Sequence, residues 1–250
     1  MPAFSLEPSQ TAWCEELRTL AAERLRPLAE KGEPAHVNRP LVAELGQLGL
    51  LKRLFTSGAL DLCLMRESLA HVCTEAETAL ALQGLGAHPV HAYGTPGQRE
   101  RWLPGVVEGA TVAAFALSEP GAGSDAAALE LTARPDGNSG WRLTGEKCWI
   151  PNAPEADFYT VFARTPPGAG ARGVTAFLVP ADRPGLTGTP LDMLSPHPIG
   201  ALDFDAVPVT ADDVLGEVDQ GFRVAMGTLN LFRPSVGAFA VGMAQAALDA

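Results

Sequence analysis

Between Val112 and Asp125 an apolar strand pattern runs directly into a loop broken by Pro120, Gly121 and Gly123. No other stretch constrains the fold as tightly. Val112 to Leu117 reads as a strand, and Ser118-Glu119-Pro120-Gly121-Ala122-Gly123-Ser124-Asp125 then puts short polar groups and two glycines into one turn. Glycine admits φ > 0 and lets a ligand approach the backbone closely. A strand opening into such a loop can point free N–H groups at a flat or anionic ligand. An ordinary tight turn between strands has the same composition, so on spacing alone both readings stand. The loop has neither the lysine of a P-loop nor the spacing of a G-x-G-x-x-G turn.

The sequence on either side changes period. From Thr11 to Lys31 the residues Leu17, Leu20, Ala21, Leu25 and Leu28 recur at helical spacing, and Gly32 and Pro34 end the run. A second helix follows Pro40, with Leu41, Leu45 and Leu48 on one face and Gly49 near its end. Leu60 to Gln83 reads as one long buried helix closed by Gly84 and Gly86. Thr95-Pro96-Gly97-Gln98 has the residues of a capping box with proline at the first helical position, and Pro104 limits or bends the helix it starts.

After Ala110 the texture becomes that of strands. Val112–Leu117, Leu129–Arg134, Trp141–Ile150, Phe158–Arg164, Val174–Pro180 and Ala201–Val209 alternate with turns, among them Asp136-Gly137-Asn138 and the run Pro166–Gly173. No helix long enough for a crossover separates them, so the sheet should be mainly antiparallel. From Gln220 the helical period returns, with Phe222, Met226, Leu229, Phe232, Val236, Phe239, Ala240, Met243 and Ala247 on one broad face and Pro234 placed to bend or split it. The expected architecture is α+β. It comprises a helical N-terminal domain (1–110), a middle antiparallel β-barrel or sandwich (111–217) and the start of a C-terminal helical domain (218–250). The last helix stops in mid-pattern, which calls for a remainder or a partner to cover it.

Composition excludes several classes. A net charge of −11 argues against nucleic acid or an anionic membrane as the main partner, and no apolar run is long enough to span a bilayer. The four cysteines, Cys14, Cys63, Cys73 and Cys148, are scattered and form no C-x-x-C. With no signal peptide, they point to free thiols in a reducing cytoplasm. His88 and His91 lack the further ligands that zinc requires.

Ala116-Leu117-Ser118-Glu119-Pro120-Gly121-Ala122-Gly123-Ser124-Asp125, at the junction of helical and β segments, resembles the signature of the acyl-CoA dehydrogenase family. So do Gly94–Leu103, Leu143-Thr144-Gly145-Glu146-Lys147-Cys148-Trp149-Ile150, Gly173–Val179, Val214-Leu215-Gly216 and Gly221-Phe222. The resemblance covers nearly the whole chain. It implies FAD as cofactor, an acyl-CoA or acyl-carrier thioester as substrate, an electron-transfer flavoprotein as acceptor and a homo- or hetero-oligomer. It also implies a catalytic glutamate that removes the α-proton while the β-hydrogen leaves as hydride to the flavin.

By matching position, Phe115, Ala116, Leu117 and Ser118 would run beside the isoalloxazine ring. Gly123 and Ser124 would lie where flavin phosphates and thioester come close, with Trp149, Ile150 and Pro151 against the flavin. Asn230 and Arg233 would face the CoA. Three departures accompany the match. Pro151 stands where the family has Thr or Ser, and Asn230 where many members have an acid. The helices that carry the family's glutamate lie beyond this chain. The resemblance thus leaves open a catalytically inactive subunit or interaction module, and a flavin-dependent oxidase or monooxygenase of the same fold.

Overall fold

A computed structural model of the chain describes residues 5–137, 140–165 and 170–250. Asn138 and residues 166–169 of the expected loops lie outside them.

The helical part begins with α1 (Pro8–Leu20), which continues through one π-type turn (Ala21–Leu25) into α2 (Arg26–Ala29). Helix α3 (Arg39–Gln47) is capped by Asn38, whose Oδ1 accepts from the Leu41 N–H at 3.0 Å. Gly49, at φ 72°, turns the chain into α4 (Leu50–Thr56), a helix the sequence reading did not separate. The expected single helix from Leu60 to Gln83 is instead two, α5 (Ala59–Ala70) and α6 (Thr74–Tyr93). No glycine or proline marks the break; it is held from outside, where the Arg26 Nε donates to the Val72 carbonyl at 3.1 Å.

Gly84 and Gly86 do not end α6 but sit inside it, and the reason is proximity. A Cβ on Gly84 would lie 2.7 Å from the Phe232 ring, and one on Gly86 would lie 2.6 Å from the backbone of Ala113 and Ala114. Helix α7 (Pro96–Glu108) starts at the expected box, with the Gln98 N–H donating to Thr95 Oγ1 at 3.2 Å and the Thr95 N–H to Gln98 Oε1 at 2.8 Å. It runs on past Pro104. Pro104 and Glu100, whose carbonyl the proline leaves unpaired, are both exposed, so water can serve that carbonyl.

The strands are β1 (Ala113–Ala116), β2 (Thr132–Pro135), β3 (Gly140–Pro151), β4 (Phe158–Arg164), β5 (Val174–Pro180), β6 (Leu186–Pro190), β7 (Ile199–Thr210) and β8 (Val214–Leu215). They form one sheet ordered β6-β7-β3-β2-β4-β5-β8, with β1 beside β4. Most pairs are antiparallel, as the lack of crossover helices requires. The expectation of an antiparallel sheet needs one correction, because β4 pairs in parallel with β1 and, at Thr132–Arg164, with β2. Since β5 occupies one edge of β4 along its full length, β1 and β2 share the other edge in succession. The hairpin β2–β3 supplies the length that a helix would otherwise provide for a parallel return.

Strands β1, β4 and β5 are buried on both faces. Ala114, Ala116, Tyr159, Val161, Phe177 and Val179 face the core of the sheet. Their alternates Ala113, Phe115, Phe158, Phe162, Ala176 and Leu178 face the helices. Burial on this scale, roughly 25 cal/mol per Å² of apolar surface, fixes the register because a one-residue slip would exchange the two faces. The free edge of β1 is served by side chains. Gln83 Oε1 accepts from the Ala113 N–H at 2.8 Å, and Asn152 Nδ2 donates to the Ala113 carbonyl at 2.9 Å.

The last helix, α8 (Gly221–Asp249), is one continuous element despite Pro234. Asn230, whose carbonyl the proline leaves free, is exposed, as is Pro234 itself. Along α5, Gly242 lets α8 approach the Glu67 carbonyl, which a Cβ would meet at 2.3 Å. The buried pair of Arg66 Nε and Glu77 ties α5 to α6, and Arg66 Nη1 donates to Ser235 Oγ of α8 at 2.8 Å. Desolvation pushes the Glu77 carboxyl above its ordinary range, against the pull of Arg66. Val236, Val241, Met243 and Leu248 of α8 are exposed apolar residues.

Candidate functional site

Where β1 ends, the chain leaves the sheet and crosses a cleft of about 390 Å³. The loop Ser118–Ala127 and the end of β3 form one wall of the cleft, and α8 with Leu85 of α6 forms the other. The loop is tightly built. Glu119 and Ala122 exchange two backbone hydrogen bonds of 3.1 Å around Pro120-Gly121. Neither Gly121 nor Gly123 adopts positive φ, contrary to one use foreseen for them, and a Cβ on either would meet no atom within 4 Å. Their contribution is an uncovered backbone.

Beneath the loop lies a buried charge pair that the sequence reading left aside. Lys147 Nζ donates to Glu119 Oε1 at 2.7 Å and to the Leu117 carbonyl at 3.0 Å. Glu119 also accepts from the backbone N–H groups of Glu130 and Leu131, and the Cys148 N–H donates to the Ser118 carbonyl at 3.1 Å. Full burial pulls the Lys147 ammonium down to about 8, against the opposing pull of Glu119. Each motif carries a second charged residue, Asp125 beside Glu119 and Glu146 beside Lys147, so the sequence did not single out this pair.

The carbonyls of Leu117, Ser118, Glu119 and Ala122 are thus engaged, whereas several donors of the loop are free. Among the described residues the Ser118 N–H and hydroxyl and the Gly123 and Ser124 N–H groups have no hydrogen-bond partner. Trp149 lines the same wall. A register shift in β3 between Lys147 and Ile150 forms a bulge, and within it Trp149 takes φ 56° with 57% of its surface exposed. Bulges re-aim side chains, and a non-glycine residue in the left-handed region costs on the order of 1–3 kcal/mol. The fold therefore holds an indole over the cleft at some expense.

Of the residues singled out by sequence, Phe115, Leu117, Ser118, Gly123, Ser124, Trp149, Pro151 and Arg233 line this one cleft. Two others turn away. Ala116 faces the sheet core because strand alternation opposes it to Phe115 and Leu117, and Ile150, re-entering the ladder opposite Gly200, also points inward. Asn230 is exposed on α8 outside the lining, and its Oδ1 accepts from Arg233 Nη1 at 3.3 Å. Leu85, Phe222, Met226 and Leu229 also line the cleft. The last three share the helical face noted in the sequence, but only the packing of α8 against β5 aims that face here.

The lining combines aromatic and aliphatic walls, free amides, two hydroxyls and one cation, Arg233. It contains no histidine and no pair of carboxylates. Such a surface suits a flat heteroaromatic group with an anionic tail. A second cavity, about 220 Å³, lies between the Glu33–Asn38 segment, α6 and the Pro196–Pro198 loop. It shares no lining residue with the cleft and contains none of its motif residues. Among the described residues there is no group of three or more His, Cys, Asp or Glu placed to hold a metal, and no helix long and apolar enough to cross a membrane.

A helical layer and a mixed sheet that meet at a strand-to-loop cleft define a two-layer fold of helices on a sheet. The chain belongs to the acyl-CoA dehydrogenase family: residues 7–110 match the acyl-CoA dehydrogenase N-terminal domain and residues 114–207 the middle domain. It is 36% identical over 244 residues to the mitochondrial short-chain specific acyl-CoA dehydrogenase of Bos taurus, covering 93% of this chain and 59% of that protein. The chain therefore spans about 59% of the length of that curated relative. Butyryl-CoA dehydrogenase from Megasphaera elsdenii superposes with a TM-score of 0.87 at 31% identity, over 98% of this chain and 68% of that one. A FAD complex of PigA gives 0.88 at 27% identity, over 98% and 68%.

Proposed function

We propose that this chain forms the FAD- and thioester-binding part of an acyl-CoA dehydrogenase, acting on an acyl-CoA or acyl-carrier thioester in the cytoplasm. The observation that carries the reading is the set of unpartnered donors at Ser118, beside the exposed indole of Trp149 in the lining of one largely apolar cleft. The Ser118 N–H and hydroxyl would bond the pyrimidine edge of the flavin. Phe115, Leu117 and Trp149 would flank the ring and keep water from it. The Ser124 N–H and Arg233 would receive the phosphate-bearing ends of cofactor and thioester.

When bound, FAD supplies a hydride acceptor for the β-hydrogen of the acyl group. Loss of the α-proton to a base gives the enoyl thioester, and donors at the thioester carbonyl stabilise the developing negative charge. The cleft lining contains no counterpart of the family's glutamate base. That base, the electron-transfer flavoprotein that takes up the electrons and the other subunits of an oligomer would come from outside the described residues.

Pro151 separates this reading from a second one. It lines the cleft with neither hydroxyl nor N–H, and the next amide, that of Asn152, is spent on the Pro198 carbonyl at 3.0 Å. The chain therefore offers no donor of its own at that position, which favours a subunit that binds flavin without turnover. Reconstitution with FAD followed by anaerobic addition of butyryl-CoA tests both. A yellow protein that bleaches supports the dehydrogenase, and a yellow protein that does not bleach supports the binding subunit. A protein that stays colourless excludes both.

A further inference from the structure

We propose that Lys147 and Glu119 are positioning residues that aim the Ser118 N–H into the cleft, an inference that rests on the FAD reading above. The constraint comes from the peptide plane. The carbonyl of Leu117 and the N–H of Ser118 belong to one trans unit and point in opposite directions. Lys147 Nζ holds the Leu117 carbonyl on the buried side at 3.0 Å. The Ser118 N–H must then point the other way, where the cleft lies. The next unit is fixed similarly, because the Ser118 carbonyl takes the Cys148 N–H and the Glu119 N–H goes to the Ala122 carbonyl.

Stability alone gives little reason for this arrangement. Lys147 is fully buried and Glu119 nearly so, and a buried ion pair is commonly replaced by apolar residues without loss. An apolar pair, however, could not hold the Leu117 carbonyl. Glu119 is the counter-charge that keeps the ammonium in place, and it ties the loop to the Glu130 and Leu131 amides at the entry to β2. The pair therefore connects β2, β3 and the loop at the one peptide whose direction matters for the ligand.

The test uses the 250-residue chain and a double variant, Glu119→Gln with Lys147→Met, which removes both charges and keeps the volume of both stems. The introduced carboxamide keeps one acceptor oxygen for the two amides where Glu119 has two, and the double change leaves no unpaired buried charge, so cooperative unfolding should persist. We expect FAD to bind the double variant about tenfold more weakly, with a changed visible band for the bound flavin. Binding within twofold of the parent with an unchanged band would overturn the positioning role and leave the FAD reading standing. A parent chain that takes up no FAD overturns both. Should the double variant fail to fold, amide exchange in the parent decides. Protection of the Ser118 N–H by more than tenfold on FAD binding supports the role, and unchanged exchange contradicts it.

Discussion

Gly84 of α6 lies directly under the ring of Phe232 of α8, with room for no further atom between them. The contact joins the helical core to the helix that closes the cleft, and Phe232 is itself 4% exposed. Adding a methyl group here overpacks a finished core. We expect Gly84→Ala to lower stability by about 1–3 kcal/mol despite its better helix propensity. Phe232→Leu in the same chain should restore much of the loss. Urea unfolding of the two single variants and the double variant measures the coupling.

His88 makes the same helix seam sensitive to acid. Its Nδ1 lies 3.2 Å from Thr228 Oγ1 of α8, and its ring packs edge-on to Phe232. Burial, with His91 nearby, pulls the imidazole down to about 4 from its ordinary 6.5. The unfolded chain thus binds a proton between those values that the native chain refuses. This contribution to stability is complete above pH 6.5 and is lost as pH falls toward 4. The full shift corresponds to about 3 kcal/mol, of which about 2 kcal/mol is gone at pH 5. Unfolding free energies at pH 7.5 and 5 should therefore converge by about that amount in His88→Gln.

Trp149 poses the opposite case, a residue retained against its backbone preference. At φ 56° glycine would be unstrained. We expect Trp149→Gly to leave the flavin-free chain equally stable or more stable, by up to about 1 kcal/mol, while weakening FAD binding about tenfold. Thermal unfolding and a flavin titration on one preparation check both halves. A variant that loses stability and keeps its FAD affinity would assign the indole a packing role.

These three positions show what was legible in the sequence and what was not. Helical and strand periods located most elements, and Thr95 with Gln98 marked the start of α7, because those signals are local. The break between α5 and α6 was not legible, since Arg26 holds it from 46 residues away. Gly84 and Gly86 were misread as terminators because a glycine demanded by close approach looks, in sequence, like one that ends a helix. At the cleft, motif spacing brought the loop residues to notice. The pairing of Glu119 with Lys147, the bulge that exposes Trp149 and the inward turn of Ile150 all depend on the register of β3. No local pattern encodes that register.

Calorimetric titration of the chain with FAD, alongside Ser118→Ala, tests most directly whether this cleft is a flavin site. We expect one FAD per chain at micromolar affinity or better, and roughly tenfold weaker binding once the hydroxyl is gone, the effect of about 1.4 kcal/mol for one hydrogen bond. No heat of binding, or binding that Ser118→Ala leaves unchanged, would contradict the assignment of the flavin edge to this loop.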